Sequence, residues 1–175
     1  MFDLRKLTPK QLFLLFVIVL AIYFNGRSDN DFDFIPATVT RTVDGDTIIV
    51  NADGKNLRVR LIGADTPETV HPKKPVQFYG KEASAFTKKI LSNKKIWLEY
   101  DVSPLDKYKR HLAYIWLEIP ERIDEENIRL KMFNARLILD GYAKTMNIKP
   151  NTKYAEIFKK FELEAMRSKK GLWKK

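Results

Sequence analysis

The sequence predicts an α+β domain dominated by a small closed β-barrel of five short strands with three helices, preceded by an N-terminal apolar helix. Three observations predict it. Five short stretches between residues 38 and 117 have strand-like composition, several alternating apolar with polar residues. Three further segments repeat apolar residues at helical spacing or end on a helix-stopping glycine. One apolar run near the amino terminus has no polar face at all.

That run occupies residues 12–24 and follows Arg5, Lys6 and Lys10. It is shorter than the roughly 20 apolar residues of a spanning helix and suits the hydrophobic region of a signal peptide. No clear small-x-small cleavage site follows, so a retained anchor and a cleaved signal are both open. Either way the basic residues stay on the cytoplasmic side, which sends the rest of the chain out. Residues 1–25 are therefore read as anchor or signal, 26–35 as a tether carrying Asp29, Asp31 and Asp33, and 36–175 as one domain. The expected location is extracytoplasmic, membrane-anchored through residues 12–24 or secreted.

Within the domain, residues 38–43 form a first strand and Thr47-Ile48-Ile49-Val50 begins a second. Asp53-Gly54 is a two-residue hairpin signal, after which residues 57–62 return with Arg58 and Arg60 alternating against Val59 and Leu61. Residues 95–100 and 112–117 supply two more strands, and five such strands form a small barrel that closes its own edges. Tyr79, Ala83, Phe86 and Ile90 place a first helix over Gly80–Leu91. Residues 133–140 form a second, stopped by Gly141. Tyr154, Ile157, Phe158, Phe161 and Ala165 form a core-facing stripe on a third. Residues 117–132 read as a charged connection.

Composition narrows the chemistry. With 175 residues, 45% of them hydrophobic, the chain can bury one full core and not comfortably two. Its net charge of +10 favours anionic partners, whether nucleic acid, anionic lipid or a polyanionic wall polymer. The absence of cysteine removes disulfides and thiolate metal sites, and with only His71 and His111 a histidine-built zinc site is disfavoured. A resident metal should then be a hard ion held by carboxylate and carbonyl oxygens.

Asp44-Gly45-Asp46-Thr47 sits just before the second strand, and alone it reads as a turn. If Asp53-Gly54 closes the hairpin, Asp46 falls opposite Leu61, with Arg60 its diagonal neighbour. Asp65 then lies roughly 13 Å further along an extended chain. A bend at Thr66-Pro67 folds it back toward Asp46, because proline cannot continue the ladder. Two carboxylates and an arginine would meet at one end of the barrel, an arrangement that is costly unless a cation or phosphate balances it.

The segments Asp44-Gly-Asp-Thr47, Arg60 through Glu68, and Asp106-Lys-Tyr-x-Arg110 together resemble the staphylococcal (micrococcal) nuclease family, the thermonucleases, in order and over residues 37–173. The stretch 65–74 is similar to that family's substrate loop, and Glu82-Ala-Ser-Ala-Phe-Thr-Lys-Lys89 to its first helix. The resemblance implies an OB-fold-like barrel and a Ca²⁺-dependent phosphodiester hydrolase that cuts DNA and RNA and leaves 3′-phosphates. It implies that Asp46, Asp65 and the Thr66 carbonyl hold calcium, and that Arg60, Glu68 and Arg110 are catalytic. It also implies that Lys107 and Tyr108 contact a terminal phosphate and that Lys73 and Lys74 form a basic loop. The residue types suit the task. Forked arginine hydrogen bonds strengthen as charge grows on the phosphoryl oxygens, and a carboxylate can orient or deprotonate water.

The chain departs from the family pattern at three places. Lys109 replaces a glycine before Arg110, Met146 and Ile148 replace two tyrosines, and the 117–132 connection is longer. Two rival readings remain: a catalytically inactive barrel that binds single-stranded nucleic acid, and a wall- or lipid-binding surface protein. The five residues Asp46, Arg60, Asp65, Glu68 and Arg110 favour catalysis, since a pure binder has no use for acids that repel phosphate. A monomer is expected, and no protein partner is inferable.

Overall fold

The first alternating stretch becomes an eleven-residue strand, β1 (Phe34–Asp44), which starts inside the segment read as a tether. The computed structural model describes Lys10, residues 33–69 and residues 75–174. All elements below belong to one unit, Asp33–Lys175. The apolar run 12–24 and Lys73 and Lys74 lie outside the described residues. Among those that are described, no helix is long and apolar enough to cross a membrane.

Strand β1 serves two partners. Its first residues pair with β5 (Lys95–Glu99) and its later ones with β2 (Thr47–Ala52). Register shifts between Val39 and Arg41 and between Thr42 and Asp44 bend it between the two, as bulges do. β3 (Lys55–Leu61) returns from β2 with Thr47 opposite Arg60, the register that an Asp53-Gly54 hairpin dictates. β6 (His111–Trp116) runs antiparallel to β5 and parallel to β3, closing a barrel in the order β1-β2-β3-β6-β5. Val39, Ile48, Val50, Val59, Leu61, Ile96 and Leu98 point inward and are fully buried.

Three differences from the sequence reading matter for the site. The chain turns earlier than Thr66-Pro67: the barrel strand ends at Leu61, and Gly63 adopts φ +78°. A Cβ on Gly63 would sit 2.4 Å from the Phe158 ring, so glycine is required for close approach as well as conformation. Gly63–Asp65 then forms a short strand, β4, paired with β7 (Lys144–Met146) outside the barrel. Strands of three residues carry no legible alternation.

The three helices expected within the domain form as α1 (Gly80–Leu91), α3 (Phe133–Leu139) and α4 (Ala155–Arg167), and a further one, α2 (Glu125–Lys131), makes four among the described residues of this unit. The charged connection therefore contains a helix. Asp124 caps it by accepting the Asn127 N–H at 2.8 Å, and Ile128 is its buried residue. Its outer face binds α4 through a two-pronged Arg129–Glu164 pair (2.9 and 2.7 Å) and Lys160–Glu125. A single buried residue in so dense a run of charge leaves no period to read. A short 3-10 turn, Gly171–Trp173, ends the domain.

Two side chains tie these helices to the turns that carry the acids. Thr87 of α1, fully buried, donates its hydroxyl to the Gly45 carbonyl at 2.6 Å. Asn134 of α3 is also fully buried; it donates to the Ile62 carbonyl (2.8 Å) and accepts the Ile115 N–H (2.8 Å). Asn134 thus holds the end of β3, where the chain turns outward, against β6. Asn134→Ala leaves a buried N–H and a buried C=O without their partner and is expected to cost at least about 2 kcal/mol. Chemical denaturation measures this, and a loss within experimental error of zero would deny the asparagine that role.

Candidate functional site

The site starts at the tight Asp44-Gly45-Asp46 connection between β1 and β2. A Cβ on Gly45 would lie 2.7–2.8 Å from the Thr66 side chain, so only glycine lets the later segment settle here. Asp46 Oδ2 accepts both the Thr66 N–H (2.8 Å) and the Thr66 hydroxyl (2.9 Å), and Oδ1 accepts the Thr47 hydroxyl (3.1 Å). Asp44 does the same two residues earlier on the same turn. Its Oδ1 accepts the Gly45 N–H (2.8 Å) and the Thr69 hydroxyl (2.7 Å), and its Oδ2 accepts the Thr69 N–H (3.3 Å). Two aspartates on one turn therefore clamp both ends of Thr66–Thr69.

Arg60 fills the space between the carboxylates and is only 5% exposed. Nη1 donates to the carbonyls of Leu61 (2.8 Å) and Ala64 (2.5 Å), while Nη2 reaches Asp65 Oδ1 at 2.9 Å and Asp46 Oδ2 at 3.3 Å. Asp46 and Asp65 do come together, with this guanidinium bridging them, but the turn at Gly63 rather than the expected bend at Thr66-Pro67 brings Asp65 back. Lysine has no planar fork to make these contacts together.

Arg110 stands on the Asp106–Arg110 loop. Asp106 Oδ1 accepts the N–H groups of Tyr108 (2.8 Å) and Arg110 (2.9 Å), and Oδ2 takes Arg110 Nε at 2.7 Å. Burial works against the Asp106 charge, but these hydrogen bonds outweigh it and hold the carboxyl below its usual range. Lys109 takes φ +61° here. The turn that the missing glycine put in question keeps a left-handed residue, at a strain of about 1 kcal/mol or more for a side chain with Cβ.

Glu68 is positioned through its backbone. Its N–H donates to Gln77 Oε1 and its carbonyl accepts the Gln77 N–H, both at 3.0 Å. Gln77 thereby staples the two ends of the segment that contains 70–74, a role with no prior signal in the sequence. Asp44 was visible only as part of a turn motif, and Thr69 and Arg58 carried no signal at all.

One cavity of about 360 Å³ is lined by Asp44, Asp46, Arg60, Asp65, Thr66, Glu68 and Arg110, with Arg58 and Gln77 beside them. All six expected metal and catalytic residues thus face one space. Lys107 and Tyr108 line an adjoining cavity of about 400 Å³, which shares Arg60, Arg110 and Met146 with the first. Met146 and Ile148, the residues standing where tyrosines were expected, both face it.

The charge balance in this space is acid-rich on one side. Burial pushes the Asp44 carboxyl above its ordinary range; the Thr69 and Gly45 hydrogen bonds oppose the shift, and the Glu68 carboxyl adds to it. Burial likewise raises Asp65. Arg60 pulls it back, Asp46 raises it again, Lys144 lowers it and Glu68 raises it. The donor set is all oxygen, which fits a hard divalent cation. No group of three or more acid, histidine or cysteine side chains encloses a metal position among the described residues. Such an ion would take its remaining ligands from backbone, water and phosphate oxygens, which the irregular coordination of calcium permits.

A family model described as Staphylococcal nuclease homologue matches residues 58–175 of this chain. A thermonuclease from Staphylococcus intermedius is 44% identical over 179 residues, covering 98% of this chain and all of that protein. A thermonuclease from Staphylococcus hyicus is 47% identical over 135 residues, 77% of this chain and 73% of the relative. The SPbeta prophage-derived endonuclease YokF of Bacillus subtilis is 37% identical over 145 residues, 82% of this chain and 45% of its own length.

The raised Asp65 has a pH consequence. A carboxyl whose pKa is higher folded than unfolded contributes stability below its unfolded pKa and loses it as pH rises through the folded one. Asp65→Asn, permanently neutral, is expected to melt higher than the unaltered chain at pH 7, with the gain vanishing below about pH 4. Melting curves from pH 3 to 8 check this, and a pH-independent difference would contradict it.

Proposed function

The chain belongs to the staphylococcal nuclease family, and on that premise we propose that it is a calcium-dependent endonuclease of DNA and RNA that leaves 3′-phosphates. The observation that carries the reading is the single cavity onto which Asp46, Asp65, Thr66, Arg60, Glu68 and Arg110 all open. Acids alone would repel a phosphodiester and arginines alone would only bind it. Their convergence fits a site that both attracts the substrate and activates water against it.

Asp46, Asp65 and the Thr66 carbonyl would hold calcium, which when bound would supply Lewis-acid stabilisation of charge on the phosphate. The rest falls to the chain's own groups. Arg110 through its Nη groups, and Arg60 through its Nε and Nη2 side once a carboxylate partner turns from it toward the cation, donate hydrogen bonds to the non-bridging oxygens, and these bonds strengthen as negative charge accumulates. Arg60 is suited to this because two backbone carbonyls fix its Nη1 side. Glu68, stapled by Gln77, accepts a hydrogen bond from the attacking water and takes its proton. The water oxygen bonds to phosphorus, the bond to the 5′ oxygen breaks, and that oxygen takes up a proton from solvent. Lys107 and Tyr108, beside Arg110, hold a neighbouring phosphate.

The proposed location is the outer face of a membrane, or the medium if the leader is removed. It rests on the apolar run 12–24 and the basic residues Arg5, Lys6 and Lys10 before it. With Met146 and Ile148 where the family pattern has two tyrosines, Tyr108 is the aromatic side chain that lines this cavity. Methionine offers its thioether as a partial substitute against a base.

The purified chain is expected to degrade single-stranded DNA and RNA in calcium, to be silent in chelator and to gain little from magnesium. Arg60→Lys and Glu68→Ala are each expected to lower kcat by more than about 100-fold while circular dichroism shows the barrel intact. Efficient cleavage in chelator refutes the metal assignment. Near-unaltered turnover by a folded variant removes that residue from the catalytic set.

A further inference from the structure

A cavity of about 520 Å³ shares no lining residue with that of Tyr108 and Lys107, and the mechanism above makes no use of it. It is lined by Phe78, Met166, Leu172 and Trp173, with Lys144 at its edge. Phe78 is 73% exposed and Met166 43%, an unusual amount of apolar surface for side chains that face one hollow together. The cavity adjoins the catalytic one, since Asp65, Thr66 and Gln77 line both. The catalytic cavity in turn shares Arg60, Arg110 and Met146 with the cavity of Tyr108 and Lys107. Three hollows therefore form one track, with the carboxylate–arginine centre in the middle.

From this arrangement we infer that the Phe78–Trp173 hollow is a second nucleoside subsite, holding the base next to the cut on the side opposite Tyr108. The occupant follows from chemistry as well as adjacency. A strand whose phosphate sits among Arg60, Arg110 and Glu68 must leave in both directions, and this hollow is what lies in one of them. Its aromatic and thioether walls match the flat face of a base, which stacks without regard to sequence. Lys144 stands with its ammonium 5.7 Å from the Trp173 ring centre and pairs across β4–β7 with Asp65. A cation is thus placed where the next phosphate of the strand would pass. The volume lies within the roughly 300–1,000 Å³ of small-molecule sites.

The walls are held differently. Trp173 sits on the Gly171–Trp173 turn, fixed by the Leu172 N–H donating to the Gly141 carbonyl at 2.8 Å. Phe78 directly follows Gln77, whose amide and backbone both bind the Glu68 backbone. A base pressed on Phe78 therefore pushes on the residue that positions Glu68, so occupancy of the hollow should register in turnover as well as in affinity.

The subsite rests on the nuclease reading, and the test separates the two. The full chain is assayed in calcium on tetrathymidylates that each carry one abasic nucleotide at a different position, with cut positions read from product masses. The unaltered chain should lose about tenfold or more in kcat/KM when the abasic nucleotide falls next to the cut on the Phe78 side. Phe78→Ala should show the same loss on the intact substrate and no further loss at that one position. Phe78→Trp should restore both rate and base dependence, which a merely structural defect would not allow. If Phe78→Ala leaves the rates unchanged, or lowers all substrates by one factor, the hollow is not a base subsite and its apolar surface serves some other partner. If the unaltered chain cuts none of the substrates, the nuclease reading itself fails and the subsite falls with it.

Discussion

Arg60 carries a permanent charge into a position that is 5% exposed, and the geometry around it follows from how that charge is satisfied. In the free protein its Nη groups are occupied by the carbonyls of Leu61, which ends β3, and Ala64, in β4, and by two carboxylates from different parts of the chain. Removing a buried partner such as Asp46 from this group costs several kcal/mol, whereas Asp65 is half exposed. Through the Ala64 carbonyl, Arg60 fixes the short strand that carries Asp65. Through Asp46, which also binds Thr66, it fixes the start of the segment leading to Glu68.

The same contacts explain why acids accumulate where burial disfavours them. Asp44 and Asp65 are both pushed up by desolvation, and each feels another carboxyl nearby. Their arrangement sacrifices stability in the free protein, a pattern expected where charge is stored for a cation and a phosphate. Thr69, Thr66 and Gln77 offset part of the cost with hydrogen bonds that also set the position of Glu68. Arg60 stands on barrel strand β3 and Asp65 on the short strand β4, whereas Asp46, Glu68 and Arg110 stand on connections tied by side-chain hydrogen bonds.

Much of this was legible from residue pattern. The Asp53-Gly54 turn fixes the β2–β3 register, and from it the approach of Asp46 to Arg60 follows by counting. The stripes on α1 and α4 mark core faces, although on α1 Ala83, Thr87 and Leu91 are fully buried while Phe86 and Ile90 are only partly so. The rest failed for physical reasons. The return of Asp65 depends on a three-residue strand pairing with a partner some eighty positions later, a long-range contact with no local period. The bend was assigned to Pro67, but Gly63 makes it, because the ring of Phe158 leaves no room for a Cβ there. Helix α2 is held by salt bridges to α4 more than by an apolar face, so its sequence reads as loop. Gln77 acts on a backbone nine residues away, which no motif announces.

Central to the account is that the Asp46 and Asp65 carboxylates bind a cation whose coordination a substrate phosphate completes. Calorimetric titration of calcium into the purified chain, with and without a nucleoside 3′,5′-bisphosphate, tests this without relying on turnover. Calcium should bind weakly alone and more tightly with the nucleotide. The nucleotide should gain affinity from calcium by the same factor. Asp46→Ala should abolish both effects. Calcium binding that is unchanged in Asp46→Ala, or indifferent to the nucleotide, would contradict the account.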